Sequence, residues 1–528
     1  MFLIMSAAYV GQELESEFGK IPPSFLPLGN RRLFQHQVKL APENVEVIIS
    51  IPESYKLSSI DLKWLEGNTV KIVRTPDNLS LGASLVAAIN LTERSLDTPL
   101  HVLFGDTLLT SLPTGDDIVG ISEVQDSYNW AVVTDDDMHW LENSENNLNA
   151  DTNNVVNGYF KFSQPRQLIK SITQSHWNFL GGLNRYHKEL GLTAVKTESW
   201  LDFGHVNTYY RSKAAFTTQR AFNELIITPE WIEKSSYKNQ KIRAEANWFD
   251  TLPPRLRGYI PQYLGSSNTP ERFSYRLEYL HHTALNELYV FAEIPTIIWK
   301  KILGGCIDFI DECIDFRAPD GATVNKLSEL FGVKTKQRLA EYCESQGITL
   351  NQKWVFNDQE PVSLAELVSS CELYLPSEQQ KETVLHGDFC FSNILYDFRT
   401  GRVKTIDPRG LTPDNELTIY GDTRYDLAKL SHSVLGMYDW IIAGYYNVDI
   451  NGEKIAFDLA GTRQHKETQQ AFVEIVEKRF GLTALSLYAM QIQLFLSMLP
   501  LHADEPQRQQ ALFANAFRLY EILKRLEK

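Results

Sequence analysis

Over its first 135 residues the chain alternates short apolar runs with polar, helix-compatible stretches, and few folds accept that spacing. "FLIMSAA", "VEVIIS", "TVKIVR", "PLHVLFG" and "NWAVVTDD" read as strands. "LGASLVAAINLTERSL" (81–96) reads as an amphipathic helix between two of them. Strand and helix alternation of this kind implies a mostly parallel sheet covered on both faces. The opening "MFLIMSAAYVG" is then a buried first strand. It lacks a basic leader and is too short to cross a bilayer. "ENSENNLNADTNN" (142–154) is polar and Asn-rich and reads as a solvated loop. The run Asp135-Asp136-Asp137 invites a metal reading, but a solvated turn fits it better.

The pattern changes near residue 213. "RAFNELIIT" and "EWIEKSS" look like an antiparallel hairpin, and "YKNQKIRAEANWFDTLP" looks helical, closed by Pro253 and Pro254. From 284 onward long helical patterns dominate, broken by strands at 384–410. The last stretch, "QRQQALFANAFRLYEILKRLEK", is an amphipathic helix with late Lys and Arg that suit its dipole. A chain of 528 residues is too long for one core, and the breaks divide it into 1–212, 213–282 and 283–528.

The formal charge is 51 − 66 = −15, which argues against nucleic acid or an anionic membrane as partner. Phosphate ligands remain open, since they need only local cations or metals. Cys306, Cys313, Cys343, Cys371 and Cys390 are scattered, with no CxxC pair, so a reduced cytoplasm is expected. No apolar run of about 18 residues stands out, so no membrane insertion is expected.

"VLHGDFCFSNILYD" (384–397) carries the densest chemistry. "TVLHGD" is strand-like, "FCFSN" turns, "ILYDF" is strand-like, "RTG" turns again and "RVKTID" returns. That hairpin gathers Asp388, Asn393 and Asp407 at one end. Two carboxylates and an amide oxygen are hard ligands suited to Mg²⁺ on phosphates. A carboxylate left free of metal can take a proton from an attacking hydroxyl.

H-G-D-x-x-x-x-N followed by I-D resembles the aminoglycoside phosphotransferase and choline-kinase-like family, relatives of the protein kinases. The resemblance implies a bilobal, protein-kinase-like α+β fold. Asp388 becomes the catalytic base, and Asn393 and Asp407 become Mg²⁺ ligands. Asp426, in "GDTRYDLAKL", becomes a buried structural acid. It also implies a strand Lys and a helix Glu on the ATP or GTP phosphates, for which Lys234 and Glu245 stand at fitting places. "YRLEYL" (275–280) resembles the hinge strand that binds the base, with Glu278 and Leu280 as its contacts. His386 reads as a structural hydrogen-bonding residue rather than an acid or base.

"GKIPPSFLPLGNRRLFQHQV" (19–38) resembles the corresponding segment of sugar-nucleotide pyrophosphorylases, nucleotidyltransferases of GT-A-like, Rossmann-like α/β fold. "HVLFGDTLL", "VNGYFKF" and "WLDFGHVNTYY" follow in the family's order. The resemblance implies Asp106 and Asp202 as ligands of Mg²⁺ or Mn²⁺, and Gly11 and Gly82 as contacts of an NTP such as CTP. Two departures stand out. Glu13 occupies the place of the family's loop Arg, and Ser24 that of its Lys, with Lys20, Arg31 or Arg32 as the cations left nearby. Loss of such electrostatic stabilisers raises the barrier to transfer.

The two resemblances together imply a bifunctional enzyme. A kinase would phosphorylate a small hydroxyl acceptor (a sugar, polyol or amino alcohol), and a nucleotidyltransferase-like domain would make or bind an NDP-activated product for capsular or other surface polysaccharide. The alternative is a kinase carrying a degenerate nucleotide- or sugar-binding domain. Tyr438, Trp440 and Tyr445 could serve a choline-like acceptor or simply form core. Assembly into homo-oligomers stays open.

Overall fold

The computed structural model describes residues 1–124, 128–135, 139–143, 154–220, 225–236, 239–269, 272–377, 380–459, 461 and 463–528. Most of the 142–154 loop, and Asp136 and Asp137, lie outside them. The chain divides into two compact units: residues 1–219 with 291–293, and residues 220–290 with 294–528.

The first unit is built on one large sheet. Its strands are β1 (Phe2–Met5), β2 (Val47–Pro52), β3 (Lys71–Thr75), β4 (Leu100–Phe104), β6 (Ile118–Glu123), β9 (Asn154–Phe162) and β10 (Thr193–Lys196), in the order β10-β6-β9-β4-β1-β2-β3. β1 pairs in parallel with both β2 and β4, β2 with β3, and β6 with β10. β9 departs from the mostly parallel expectation: it runs antiparallel to β4 and β6, and β7 (Ala131–Val133) and β8 (Leu141–Asn143) extend from it. β1 is wholly buried along its length, as its unbroken apolar run requires. Two short strands, β5 (Thr107–Leu109) and β11 (Trp200–Asp202), pair antiparallel outside the sheet.

The expected break at 213 falls inside a helix. Val206–Arg220 runs through it, and the unit ends at that helix's end. Continuous helical hydrogen bonding outweighed the change in composition that suggested an earlier boundary.

In the second unit, β12 (Leu225–Ile227), β13 (Trp231–Ser236), β14 (Tyr263–Asn268) and β15 (Phe273–Glu278) form an antiparallel sheet in the order β12-β13-β15-β14. The helix Asn239–Thr251 follows β13. The 394–405 hairpin forms as read, with Ile394 opposite Thr405 and Asp397 opposite Arg402. Helices make up most of the rest, including Thr296–Ile314, Arg424–Val434, Ala484–Met498 and Pro506–Leu526. One element departs from the reading of helices broken by strands at 384–410. Asn447–Asn451 and Lys454–Asp458 form a hairpin that joins Lys353–Phe356 and Val362–Ser363 in a second sheet. Alternating side chains around Gly452, at φ +60°, encode it.

Ala484–His502 is long and apolar enough to cross a membrane by length and composition, contrary to the sequence expectation. In the structure 61% of that window is buried, and Gln491 donates from within it to the Ala428 carbonyl at 2.7 Å. It serves here as a core helix, with Ile492, Phe495 and Leu496 buried against the helix Pro506–Leu526.

Gly82 lies in the first turn of the helix Leu81–Leu91. A Cβ there would stand 2.4 Å from the Trp177 carbonyl oxygen and 3.1 Å from Ile172 Cγ2. The close approach is to protein backbone, so Gly82 is a packing glycine. Gly82→Ala should destabilise the first unit by about 1–3 kcal/mol, and calorimetry should read this as a lower melting temperature.

Candidate functional sites

β13 and the helix Asn239–Thr251 present one side chain each to the second unit's site. Lys234 Nζ lies 3.3 Å from Glu245 Oε2 and 2.5 Å from Asp407 Oδ1. Tyr275, opposite Lys234 in the β13–β15 pairing, donates its hydroxyl to Glu245 Oε2 at 2.6 Å. Burial disfavours the Lys234 ammonium, but the Asp407 and Glu245 carboxylates overcome that and hold it above its usual range. Asp407 sits just past the strand Arg402–Thr405 at φ +56°, a left-handed conformation a non-glycine residue holds only under constraint. Three residues on, Gly410 has φ +63°, and a Cβ there would strike the Ala244 carbonyl at 2.4 Å. A glycine is needed there to seat the 407–410 turn against the Glu245 helix.

The residues of the 386–393 loop are pinned from below. Asp426 accepts the backbone N–H groups of His386 and Gly387, each at 2.8 Å. Its buried carboxyl is pushed up to about 7, chiefly by burial. His386 is fully buried and held neutral, its pKa lowered to about 4 by burial. Nε2–H then donates to the Ile406 carbonyl at 2.9 Å, and Nδ1 accepts the Asp388 N–H at 3.2 Å. His386 is thus a structural linker between the loop and the strand leading to Asp407. Asn393 Nδ2 donates to Asp388 Oδ2 at 3.0 Å and to the Asp388 carbonyl at 2.9 Å.

The structure therefore brings Asp388 and Asn393 into contact, and Lys234, Glu245 and Asp407 into contact. The hinge residues fit less well. The Glu278 N–H donates to the Gln262 carbonyl at 2.9 Å, and its carboxylate accepts from the Gln262 N–H at 3.2 Å. The Leu280 carbonyl accepts from the His282 N–H at 2.9 Å. The Glu278 contacts extend the pairing of β14 with β15, and the Leu280 carbonyl closes a tight turn onto His282.

Sequence reasoning missed Lys429. Its Nζ lies 2.7 Å from Asp388 Oδ1. Burial alone would raise the Asp388 carboxyl, but Lys429 overcomes it and holds Asp388 down at about 2. Nothing in "GDTRYDLAKL" marks it apart from any other helical lysine, since only the fold sets it against Asp388.

In the first unit, β4 ends in the Gly105–Asp106 turn, and β11 lays Asp202 opposite Thr107. The Phe203 N–H donates to the Asp106 carbonyl at 2.8 Å. A Cβ on Gly204 would stand 2.8 Å from Asp106 Oδ2 and 3.4 Å from Asp202 Oδ1, so both carboxylates reach one point. They border a cleft of about 430 Å³, with Trp130, Trp200, Asn157 and Phe160 among its walls. Burial and then the Asp202 charge raise the Asp106 carboxyl well above its ordinary range. Two carboxylates this close, Asp202 buried and Asp106 half-buried, call for a proton or a cation, and their oxygen donors suit Mg²⁺ or Mn²⁺.

Of the cations considered for this cleft, Arg32 is committed to structural bonds. Arg32 is buried, donates to the Phe25 carbonyl at 2.7 Å and lies 3.6 Å from Asp61 Oδ2. Lys20 sits 4.5 Å over the Tyr9 ring, and Arg31 is exposed. Ser24 is fully buried and donates to the Gly105 carbonyl at 3.2 Å. Gly11 caps the helix Gln12–Phe18, with open space around a Cβ there, and Glu13 is an exposed residue of its first turn.

No protein-family model and no curated protein matches the sequence. Among solved structures, an aminoglycoside-3'-phosphotransferase of type VIII is 14% identical, matching 54% of this chain and 97% of its own at a TM-score of 0.31. The inositol-1-phosphate CTP transferase from T. maritima is 14% identical over 41% of this chain and 95% of its own, with a TM-score of 0.31. HddC from Yersinia pseudotuberculosis is 18% identical over 41% and 98%, with a TM-score of 0.29. At these scores the chemistry of the chain has to be read from its own side chains.

Asp106→Asn and Asp202→Asn should each weaken Mn²⁺ binding to the nucleotide-free protein. Followed by electron paramagnetic resonance, the loss should be at least the roughly 10-fold that removal of an outer partner of a metal site already costs. Unchanged Mn²⁺ affinity in both variants would remove the metal from this cleft.

Proposed function

We propose that the second unit is a kinase that transfers the γ-phosphoryl group of ATP or GTP to a hydroxyl of a small molecule. The observation that carries this reading is the convergence of Lys234, Glu245 and Asp407, together with the contact between Asp388 and Asn393. Asp388 accepts the proton of the acceptor hydroxyl, and Asn393 fixes the orientation of that carboxylate. Lys234, steadied by Glu245, meets the donor's phosphates. The donor set fits Mg²⁺, which Asn393 Oδ1 and the Asp407 carboxylate would hold. When bound it would neutralise charge on the donor's terminal phosphates.

Asp388→Asn should lower kcat by about 10²–10⁴-fold while leaving nucleotide binding in place, because the base acts on the acceptor. Asp407→Ala should weaken Mg²⁺-dependent ATP binding in calorimetry, since a charged ligand is lost. Full turnover in the first variant, or unchanged ATP affinity in the second, would sink the assignment.

For the first unit we propose a metal-assisted nucleotide or nucleotide-sugar site at Asp106 and Asp202, with product flowing to surface polysaccharide. The chain would then be bifunctional and, given its use of nucleoside triphosphates, cytoplasmic. A second reading is favoured by one observation: Ser24 and Arg32 are buried and bonded to the protein itself. On that reading the first unit binds without turnover. Pyrophosphate release from CTP and a sugar phosphate, assayed in the Asp388→Asn background, separates the two. Release that disappears with Asp202→Asn supports the transferase, and its complete absence across the four NTPs supports the binding module.

A further inference from the structure

The second unit holds a further cavity of about 430 Å³, and Lys234, Glu245, Asp388, Asn393 and Asp407 are not among the residues that line it. Two of its lining residues are aromatic: the rings of Phe249 and Tyr263 lie 6.5 Å apart with their planes 9° from parallel. Four more are charged, two of each sign: Asp250 and Glu278, Arg257 and Lys404. Asp250 lies in the last turn of the helix Asn239–Thr251, and Lys404 lies on the strand Arg402–Thr405. None of the four forms an ion pair among the described residues.

Their present partners are backbone groups. Arg257 donates to the Leu252 carbonyl at 3.2 Å and to the Asp250 carbonyl at 3.1 Å. Lys404 donates to the Ile260 carbonyl at 3.1 Å, and the Glu278 carboxylate accepts the Gln262 N–H at 3.2 Å. A guanidinium has five N–H groups and an ammonium three, so both cations keep donors to spare. The Asp250 carboxylate accepts no hydrogen bond among the described residues. Charges of both signs that border one cavity without meeting each other match a ligand that carries both. A simple anion would leave the two carboxylates beside it unmatched, and a simple cation would do the same to Arg257 and Lys404. The paired rings add a surface for an apolar group.

We propose that this cavity is an effector site for a free α-amino acid with an apolar side chain, and that its occupancy steadies the Glu245 helix against the 394–405 hairpin. The ligand's carboxylate meets Arg257 and Lys404, its ammonium meets Asp250 and Glu278, and its side chain lies on the Phe249 and Tyr263 rings. Packed groups join the cavity to the phosphate side of the site. Phe249 follows Glu245 by one turn of the same helix. Tyr275, whose hydroxyl donates to Glu245, packs 5.9 Å from the Phe249 ring and 6.5 Å from the Tyr263 ring. Lys404 lies on the strand that leads to Asp407, the other carboxylate that Lys234 holds. A ligand that joins Asp250 to Lys404 therefore ties together the two elements whose carboxylates share Lys234. It favours the arrangement in which a nucleotide meets Lys234, Glu245 and Asp407 already assembled. This regulatory consequence rests on the kinase reading above, whereas the binding of the amino acid does not.

Calorimetry on the full chain, with L-leucine and L-phenylalanine as probes, tests the site. At least one should bind. Its analogue without the amine (isocaproate or hydrocinnamate) and its analogue without the carboxylate (isopentylamine or phenethylamine) should each bind at least about tenfold more weakly. Asp250→Asn, at an exposed position, removes a charge with little change of shape, and it should weaken the amino acid by a similar factor, as should Arg257→Met. Failure of both amino acids to bind, an analogue that binds equally well, or an affinity that ignores both variants overturns the site. The affinity for AMP-PNP with Mg²⁺, measured with and without saturating amino acid, should tighten at least about fivefold. An unchanged or weakened affinity overturns the effector role. AMP-PNP affinity that ignores Asp407→Ala would instead sink the kinase reading and leave the amino-acid measurements standing.

Discussion

The second unit turns on a buried carboxylate that cannot stand alone. Glu245 is 1% exposed, on a helix whose neighbours Ala244, Ala246 and Trp248 are equally buried. A charge so placed needs a partner within reach, and Lys234 is that partner. Because Lys234 also holds Asp407, one ammonium joins a strand, a helix and the turn after the catalytic hairpin. Tyr275 adds a neutral donor to the same carboxylate, so Glu245 stays fixed even as the lysine engages phosphates. Removing the lysine would leave two carboxylates facing each other in a poorly solvated place, a far larger penalty than losing a surface ion pair.

The catalytic loop is anchored differently, by backbone rather than by charge. Gly387, at φ +80°, lets the chain turn where a Cβ would meet Arg409 Cβ at 2.8 Å. That turn aims two successive N–H groups at Asp426, while neutral His386 and the Trp248 indole take the Ile406 and Leu385 carbonyls. The polar groups behind the loop are thereby satisfied, and its own side chains, Asp388 and Asn393, are left to face the site. The sequence order His-Gly-Asp is thus a division of labour: support, turn, and a side chain left facing the site.

That division explains what was legible in the sequence. The strand alternation of the first unit, the hairpin at 394–405 and the set Asp388/Asn393 follow from local patterns whose spacing survives folding, whereas Lys234 and Glu245 were reached by resemblance, since 173 residues separate Lys234 from Asp407. The pairing of Asp106 with Asp202 could be anticipated only by resemblance, because almost a hundred residues separate them and one short strand pair, β5 with β11, unites them. Three things were hidden for physical reasons. The helix Val206–Arg220 crosses the expected boundary, since composition shifts do not interrupt a hydrogen-bond ladder. The sheet formed by Lys353–Phe356 with Lys454–Asp458 is non-local, and isolated short strands look like loop. Lys429 reads as one more helical lysine until the fold sets it against Asp388.

The two sites differ in how their carboxylates are surrounded. In the first unit the Asp106 and Asp202 carboxylates converge, while Arg32 and Ser24 are turned to structural bonds. In the second, Lys429 stands 2.7 Å from the Asp388 carboxylate, so that charge is matched by a cation of the protein itself. Two carboxylates brought together favour a metal and, through it, phosphate oxygens, whereas a carboxylate held by an ammonium keeps its charge without one.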